Sequence, residues 1–312
     1  MKKQGRAGYK IKRRRHSGAY YHSKMWLPLR MPNMHKNPVA PAMREVLDTE
    51  RGAQIGEERP SGPSSVGKFF ISVIIPAMNE QKTIGAVIRE ARRVHPHTEV
   101  IVVENGSHDR TAKVAAAAGA RVLSFPEPLG HDVGRRVGAE AASGQILLFL
   151  DGDIVIPCVR LRPFIHAICA GADVVLNDYH GPVNRTPVHP VVEAKHVLNI
   201  LSNRADLGGA SMTGIPHAIS QKALKKIGLK PLEKPPLFQA MSIASGLRVV
   251  TVYGIAVGKI NATRKKQNGK DPLAGVIVQD HLDAIAWLTL RLGTRAGYTD
   301  LERKRIRDEV KL

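Results

Sequence analysis

Cysteine is nearly missing from this 312-residue chain, with Cys158 and Cys169 its whole complement. Two thiols exclude a disulfide framework and any cysteine-rich metal cluster, and they fit a reduced, cytoplasmic setting. Long apolar runs are missing as well. None approaches the roughly 20 residues needed to span a bilayer, and Met1-Lys2-Lys3 leads into no signal-like apolar core, so neither an integral nor a signal-directed secreted protein is expected. The chain also has no internal repeat, no Walker-type phosphate loop and no nucleophile elbow.

Acidic residues are absent from the first 44 positions, where Lys2, Lys3, Arg6, Lys10 and the run from Lys12 to Arg15 concentrate part of the net charge of +20. Tyr9, Tyr20, Tyr21 and Trp26 are interleaved with them. Such an arm suits an anionic surface or polymer: nucleic acid, lipid headgroups or an acidic polysaccharide. A solvated tail has the same composition. Residues 51–68 are rich in Gly, Pro and Ser and read as a linker. The expected organisation is therefore a basic extension over 1–67, a catalytic domain over 68–265 and a helical extension over 266–312. The protein would be cytoplasmic, with the arm able to hold it at a membrane surface.

Between the tails the hydrophobic periodicity alternates. Residues 69–75 form an apolar, β-branched strand that Pro76 should end. Thr83 to Val94 has helical spacing, with Ile84, Val87, Ile88 and Ala91 on one face and Thr83 as its cap. Residues 99–104 predict a second strand. An alanine-rich helix follows, capped by Asp109 or Thr111 and stopped by Gly119. A short strand over 120–124, a helical connection over 134–142 and a strand starting at Gly144 complete the series. Alternating strands and helices predict an α/β architecture with a doubly wound, mostly parallel sheet.

The last of these strands runs from Ile146 into Asp151-Gly152-Asp153. Extended backbone would turn both carboxylates the same way at the carboxyl edge of the sheet, where open α/β sheets bind ligands. Two hard oxygen donors suit Mn²⁺ or Mg²⁺ and, through the ion, a diphosphate. The same tripeptide also suits an ordinary turn.

Four segments in order, Val73–Glu80, Val102–Asp109, Leu129–Gly138 and Leu150–Asp153, resemble the signature of family 2 glycosyltransferases with the GT-A fold; the likeness covers roughly residues 69–258. The resemblance implies a nucleotide-diphosphate sugar donor, UDP-linked by default, and a nucleoside pocket walled by Pro76, Ala77, Asn79, Glu80, Glu104, Asn105, Asp151 and Gly152. Asn105 departs from the family's carboxylate. Arg136 falls where the family reaches toward the sugar nucleotide, and Asp151 and Asp153 where it holds the metal. Thr213 and Gly214 belong to a loop resembling the acceptor-facing segment, and Gly208 and Gly209 would allow close approach of a sugar.

Inverting members place a Glu-Asp pair at a helix start, but here the corresponding positions carry Lys234 and Pro235. Glu233 is the nearest substitute base, with Asp178, Asp206 and Asp280 behind it. A retaining course, as in glucosyl-phosphoglycerate synthases, which this chain also resembles, needs no such base. His131, His180, His217 and His281 are further candidate donors to a metal. A stripe of Ile277, Leu282, Ile285, Leu288 and Leu292 predicts a C-terminal helix packed on the sheet, and Thr299–Glu302 is a capping box for a last helix. The alternative reading is a catalytically degenerate GT-A domain that binds a nucleotide, or a polyanion through its arm. A nucleotidyltransferase is disfavoured because no glycine-rich loop follows the first strand.

Overall fold

A computed structural model describes residues 70–184, 186–257 and 273–299. The basic arm, the linker and the last helix lie outside the described residues.

Strand β1 (Ile71–Ala77) is the spine. It pairs in parallel with β2 (Thr98–Asn105) on one side and with β4 (Ile146–Phe149) on the other, and β2 pairs in parallel with β3 (Arg121–Phe125). Helices α1 (Ile84–Arg92), α2 (Thr111–Ala117) and α3 (Val133–Glu140) form the connections. Beyond β4 the direction changes. Strand β6 (His217–Ser220) is antiparallel to both β4 and β5 (Val174–Leu176), while β5 pairs in parallel with β7 (Val249–Thr251). The seven-stranded order is β3-β2-β1-β4-β6-β5-β7, the mostly parallel α/β sheet that the sequence predicts.

Pro76 does not end β1, as expected, but lies within it. The Ile74 carbonyl accepts from the Leu150 amide on the β4 side, and the two-residue repeat turns Pro76 the same way. The β1–β4 register stops at Ile74–Phe149, whereas β1–β2 pairing continues to Ala77–Glu104. The missing N–H thus falls past the end of a ladder, where it costs nothing.

Both faces of the sheet are covered. Ile84, Val87, Ile88 and Ala91 of α1 pack with Ile71, Val73 and Ile75 and with α4 (Cys158–Cys169). The other face buries Ile74, Leu147, Phe149 and Ile219 under α6 (Gln221–Ile227) and α7 (Pro235–Ala244). The C-terminal helix α8 (Ala274–Leu292) does not pack on the sheet, contrary to expectation. Its Ala284 and Leu288 meet Leu198 of α5 (Pro190–Leu201) and Ala240 of α7. Leu282 and Leu292, assigned to its buried stripe, are exposed.

At the amino edge of β4, the Ser72 hydroxyl donates to Glu99 and accepts from the Gly144 amide. A Cβ on Gly144 would stand 2.6 Å from the Ser72 nitrogen and 2.8 Å from the Ile71 carbonyl carbon, both backbone atoms of the central strand. Gly144→Ala is expected to lower stability by about 1–3 kcal/mol, read from the urea midpoint at unchanged slope. An unchanged midpoint would show that the β1–β4 edge gives way at no cost.

Candidate functional site

The carboxyl ends of β1, β2 and β4 open into a cavity of about 720 Å³, the size of a small-ligand site. Pro76, Ala77, Met78 and Glu80 come from the end of β1, and Asn105 from the end of β2. Pro128, Gly130, His131, Asp132 and Arg135 precede or open α3, and Asp151, Gly152, Asp153 and Ile154 follow β4. The far wall is formed by Tyr179, Lys195, Thr213, Gly214, Ile215, Val257, Leu273 and Ile277.

The two aspartates do not continue the strand. β4 ends at Phe149, and Gly152 and Asp153 lie in a turn. The turn still delivers both carboxylates to the cavity, because its backbone is pinned. The Thr83 hydroxyl donates to the Gly152 carbonyl at 2.9 Å, so this residue ties α1 to the aspartate turn instead of capping its own helix with its side chain. A Cβ on Gly152 would lie 3.0 Å from the Ala77 Cβ.

Arg135, not Arg136, reaches the aspartates. Its Nε donates to Asp132 at 2.7 Å and its Nη2 to Asp151 at 3.1 Å, while Nη1 is buried without a partner. Burial works against this guanidinium, but Asp132 and Asp151 outweigh it and raise its pKa. Arg136 projects from another side of α3, bonded to Glu233 at 2.6 Å and Glu140 at 3.0 Å, and does not line the cavity. The sequence held the signal that separates them. At 100° per residue, Gly134, Arg135, Gly138 and Ala139 share one face, and Gly138 is so close to β1 that a Cβ would stand 2.4 Å from Ile74 Cγ2.

Glu233 is likewise engaged away from the cavity, with Lys230 and Arg136, whose hydrogen bonds lower its pKa. Lys234 stands at the start of α7 and pairs with Asp283 of α8. Glu104 and Asn79, expected in the nucleoside pocket, are not among the lining residues and brace the loops beside it. Glu104 accepts from the Ser107 amide, and Asn79, at φ 58°, accepts from the His108 amide through its side chain and donates its own backbone amide to the Ser107 hydroxyl. Asn105 does line the cavity, and its amide braces the loop before α3 by accepting from Leu129 at 2.6 Å and donating to Gly130 at 3.2 Å. An amide can do both jobs; a carboxylate cannot donate.

On the far wall, a buried amide network sets Thr213 and Gly214. Asn199 of α5 donates to the carbonyls of Gly208 and Ala210, and Gln239 of α7 links Asn199 to the Met212 amide. Gly208 and Gly209 pack against His180, with no room for a Cβ, so glycine is needed there by this loop itself. Of the four histidines, only His131 lines the cavity. His180 bonds Asp178 and Gly209; His217 is stacked on Phe149 and held neutral by burial with a pKa of about 3. His281, with a pKa pushed down to about 4 by burial, bonds Ser211 and the Ile277 carbonyl. Tyr179, Lys195, Asp132 and the α8 residues went unassigned in the sequence because long-range packing alone brings them here.

Asp151 and Asp153 fit the donor set of a Mn²⁺ or Mg²⁺ ion that completes its shell with water and phosphate oxygens. No cluster of three or more His, Cys, Asp or Glu residues suited to a metal is present among the described residues.

A sheet of this order with a carboxylate turn at the edge of its central strands defines a GT-A-type domain. Residues 72–227 match the model of glycosyl transferase family 2, and the chain belongs to that family. It is 42% identical over 85 residues to protein RfbJ of Shigella flexneri, covering 27% of this chain and 65% of that one. It is 32% identical over 126 residues to the glucosyl-3-phosphoglycerate synthase of Mycolicibacterium smegmatis, covering 36% of this chain and 41% of the relative. The chain therefore spans less than two thirds of these curated relatives. The crystal structure of Mycobacterium tuberculosis glucosyl-3-phosphoglycerate synthase with Mn²⁺, UDP-glucose and phosphoglyceric acid shares the fold, at a TM-score of 0.53 and 22% identity over 75% of this chain and 82% of that one.

Two predictions follow from the charges. Arg135→Ala strands two carboxylates and is expected to cost about 3–5 kcal/mol in urea unfolding, whereas Arg136→Ala costs at most about 1 kcal/mol; equal losses would refute the separation of roles. Asp280 is buried on α8, and burial followed by Asp132 raises its pKa from 3.8 to about 6. The folded state then binds the proton more tightly than the unfolded one, so stability falls as pH rises from about 4 to about 6 and stays lower above. Asp280→Asn should raise Tm at pH 7.5 and lose that advantage near pH 4; a pH-independent change would contradict this assignment.

Proposed function

We propose that the protein is a glycosyltransferase that moves a sugar from a nucleotide-diphosphate donor, by preference a UDP-sugar, to an acceptor hydroxyl. The observation that carries this reading is the Asp151-Gly152-Asp153 turn at the mouth of the parallel strands, with Asp151 oriented by a buried arginine. Asp151 and Asp153 would hold Mn²⁺ or Mg²⁺. When bound, the ion offsets the charge that builds on the departing diphosphate.

The chain's own residues supply the rest. Arg135 fixes the rotamer of Asp151, and the buried Asp132 keeps that guanidinium in place as the opposing charge. Pro76, Ala77, Glu80 and Asn105 wall the side nearest β1 and β2, where the nucleoside would lie. Thr213 and Gly214 stand across the cavity, on the acceptor side. The start of α7 offers Lys234 and Pro235 in place of a carboxylate, which favours a retaining course that needs no base there. The likeness to glucosyl-3-phosphoglycerate synthases supports UDP as the nucleotide and Mn²⁺ as the ion. The intact aspartate turn and membership of the family speak against a degenerate, binding-only domain.

The test is calorimetric titration of UDP and GDP, each with and without Mn²⁺, into wild type and Asp153→Ala. The expected result is metal-dependent binding of UDP, weakened at least tenfold in the variant. Binding of neither nucleotide would remove the donor site.

A further inference from the structure

Among the described residues Lys195 is the one cavity-lining lysine, and it comes from the middle of α5, on the wall that carries Thr213 and Gly214. Arg135, which also lines the cavity, is already committed to two carboxylates. Lys195 is not. Among the described residues no carboxylate offsets its charge, and burial alone draws its pKa down from 10.5 to about 8. His196 and His281, whose pKa values burial chiefly and Lys195 in addition push down, are themselves bases and supply no counter-charge. Lys195 is half-buried, and a partly desolvated ammonium without a counter-ion is stabilised by an entering anion. Among the described residues the acids of the cavity, Asp132, Asp151, Asp153 and Glu80, come from the β1 and β4 ends and α3, not from this wall.

Resting on the glycosyl-transfer reading above, we propose that Lys195 anchors an oxyanion, a phosphate or carboxylate carried by the acceptor, and so selects anionic acceptors over neutral ones. The placement separates two jobs. The aspartate turn faces the donor diphosphate through its metal, and Lys195 faces the second substrate, whose hydroxyl must come to rest between them. A point charge on a flexible stem suits anions of different shape, and each charge-assisted hydrogen bond to it contributes about 1.5–3 kcal/mol, or roughly 10- to 100-fold in affinity.

The experiment uses the full chain saturated with UDP and Mn²⁺. Glycerol 2-phosphate and glycerate serve as anionic probes and glycerol as their neutral counterpart. Binding is followed by calorimetry, and acetylation of Lys195 by acetic anhydride is followed by mass spectrometry. At least one anionic probe is expected to bind and to slow acetylation of Lys195, while glycerol does neither; which of the two binds names the anion. Lys195→Met should weaken that probe at least tenfold and leave UDP within about twofold, and Lys195→Arg should retain most of the binding. Equal shielding by glycerol would overturn the proposal. So would shielding by UDP alone with a matching loss of UDP affinity in Lys195→Met, since the anion would then be the donor's. If UDP binds but neither anionic probe binds or shields, the proposal fails and the glycosyl-transfer reading stands. If UDP does not bind the wild type, both fail. Should Lys195→Met not fold, shielding in the wild type decides alone.

Discussion

The buried guanidinium of Arg135 is the contact on which the rest of the site depends. It spans Asp132 at the start of α3 and Asp151 after β4, so one side chain couples a helix, a strand end and the turn that carries both aspartates. Such a bridge is stable only if all three elements are held at fixed distance, because a carboxylate left alone in that setting is worse than no charge at all. The close approach of α3 to β1 provides that distance, and it is possible because Gly134 and Gly138 face Pro76 and Ile74. Small residues on one helix face thus set the position of a charge on the same face.

Much of the fold was legible in the sequence. Apolar runs of strand length alternating with helical spacing specify a parallel α/β sheet, and burial of Ile84, Val87, Ile88 and Ala91 follows from period alone. The antiparallel insertion of β6 between β4 and β5 was not legible, since three- and four-residue strands carry no orientation signal. The site was read unevenly for a related reason. Asp151 and Asp153 stand out because two carboxylates close a buried strand. Arg135 and Arg136 are neighbours in sequence but point 100° apart around α3, and choosing between them required the glycine phase of that helix. Glu233 lies one residue from the expected base position yet is consumed by Arg136 and Lys230, an arrangement that only the tertiary structure reveals.

Helix α8 shows how far a wrong assignment of packing partner travels. A stripe expected against the sheet is split in the structure: Leu288, beside Ala284, meets α5 and α7, and Leu282 faces outward. The same rotation carries Ile277 to the cavity, buries Asp280 and sets Asp283 against Lys234. The helix that looked like an appendage therefore supplies part of the wall, and its ion pair occupies the start of α7.

Because β6 runs against β4, its first residue, His217, sits opposite Phe149 at the end of the sheet where the aspartates emerge. The segment that enters β6, Ala210 to Pro216, is thereby delivered to the cavity by a strand's beginning, whereas the aspartate turn is delivered by a strand's end. Insertions or deletions ahead of β6 would remodel one side of the cavity without shifting the register of β1, β2 and β4. The reversal of a single strand makes the two halves of the site separable modules, each built on its own end of the chain's path through the sheet.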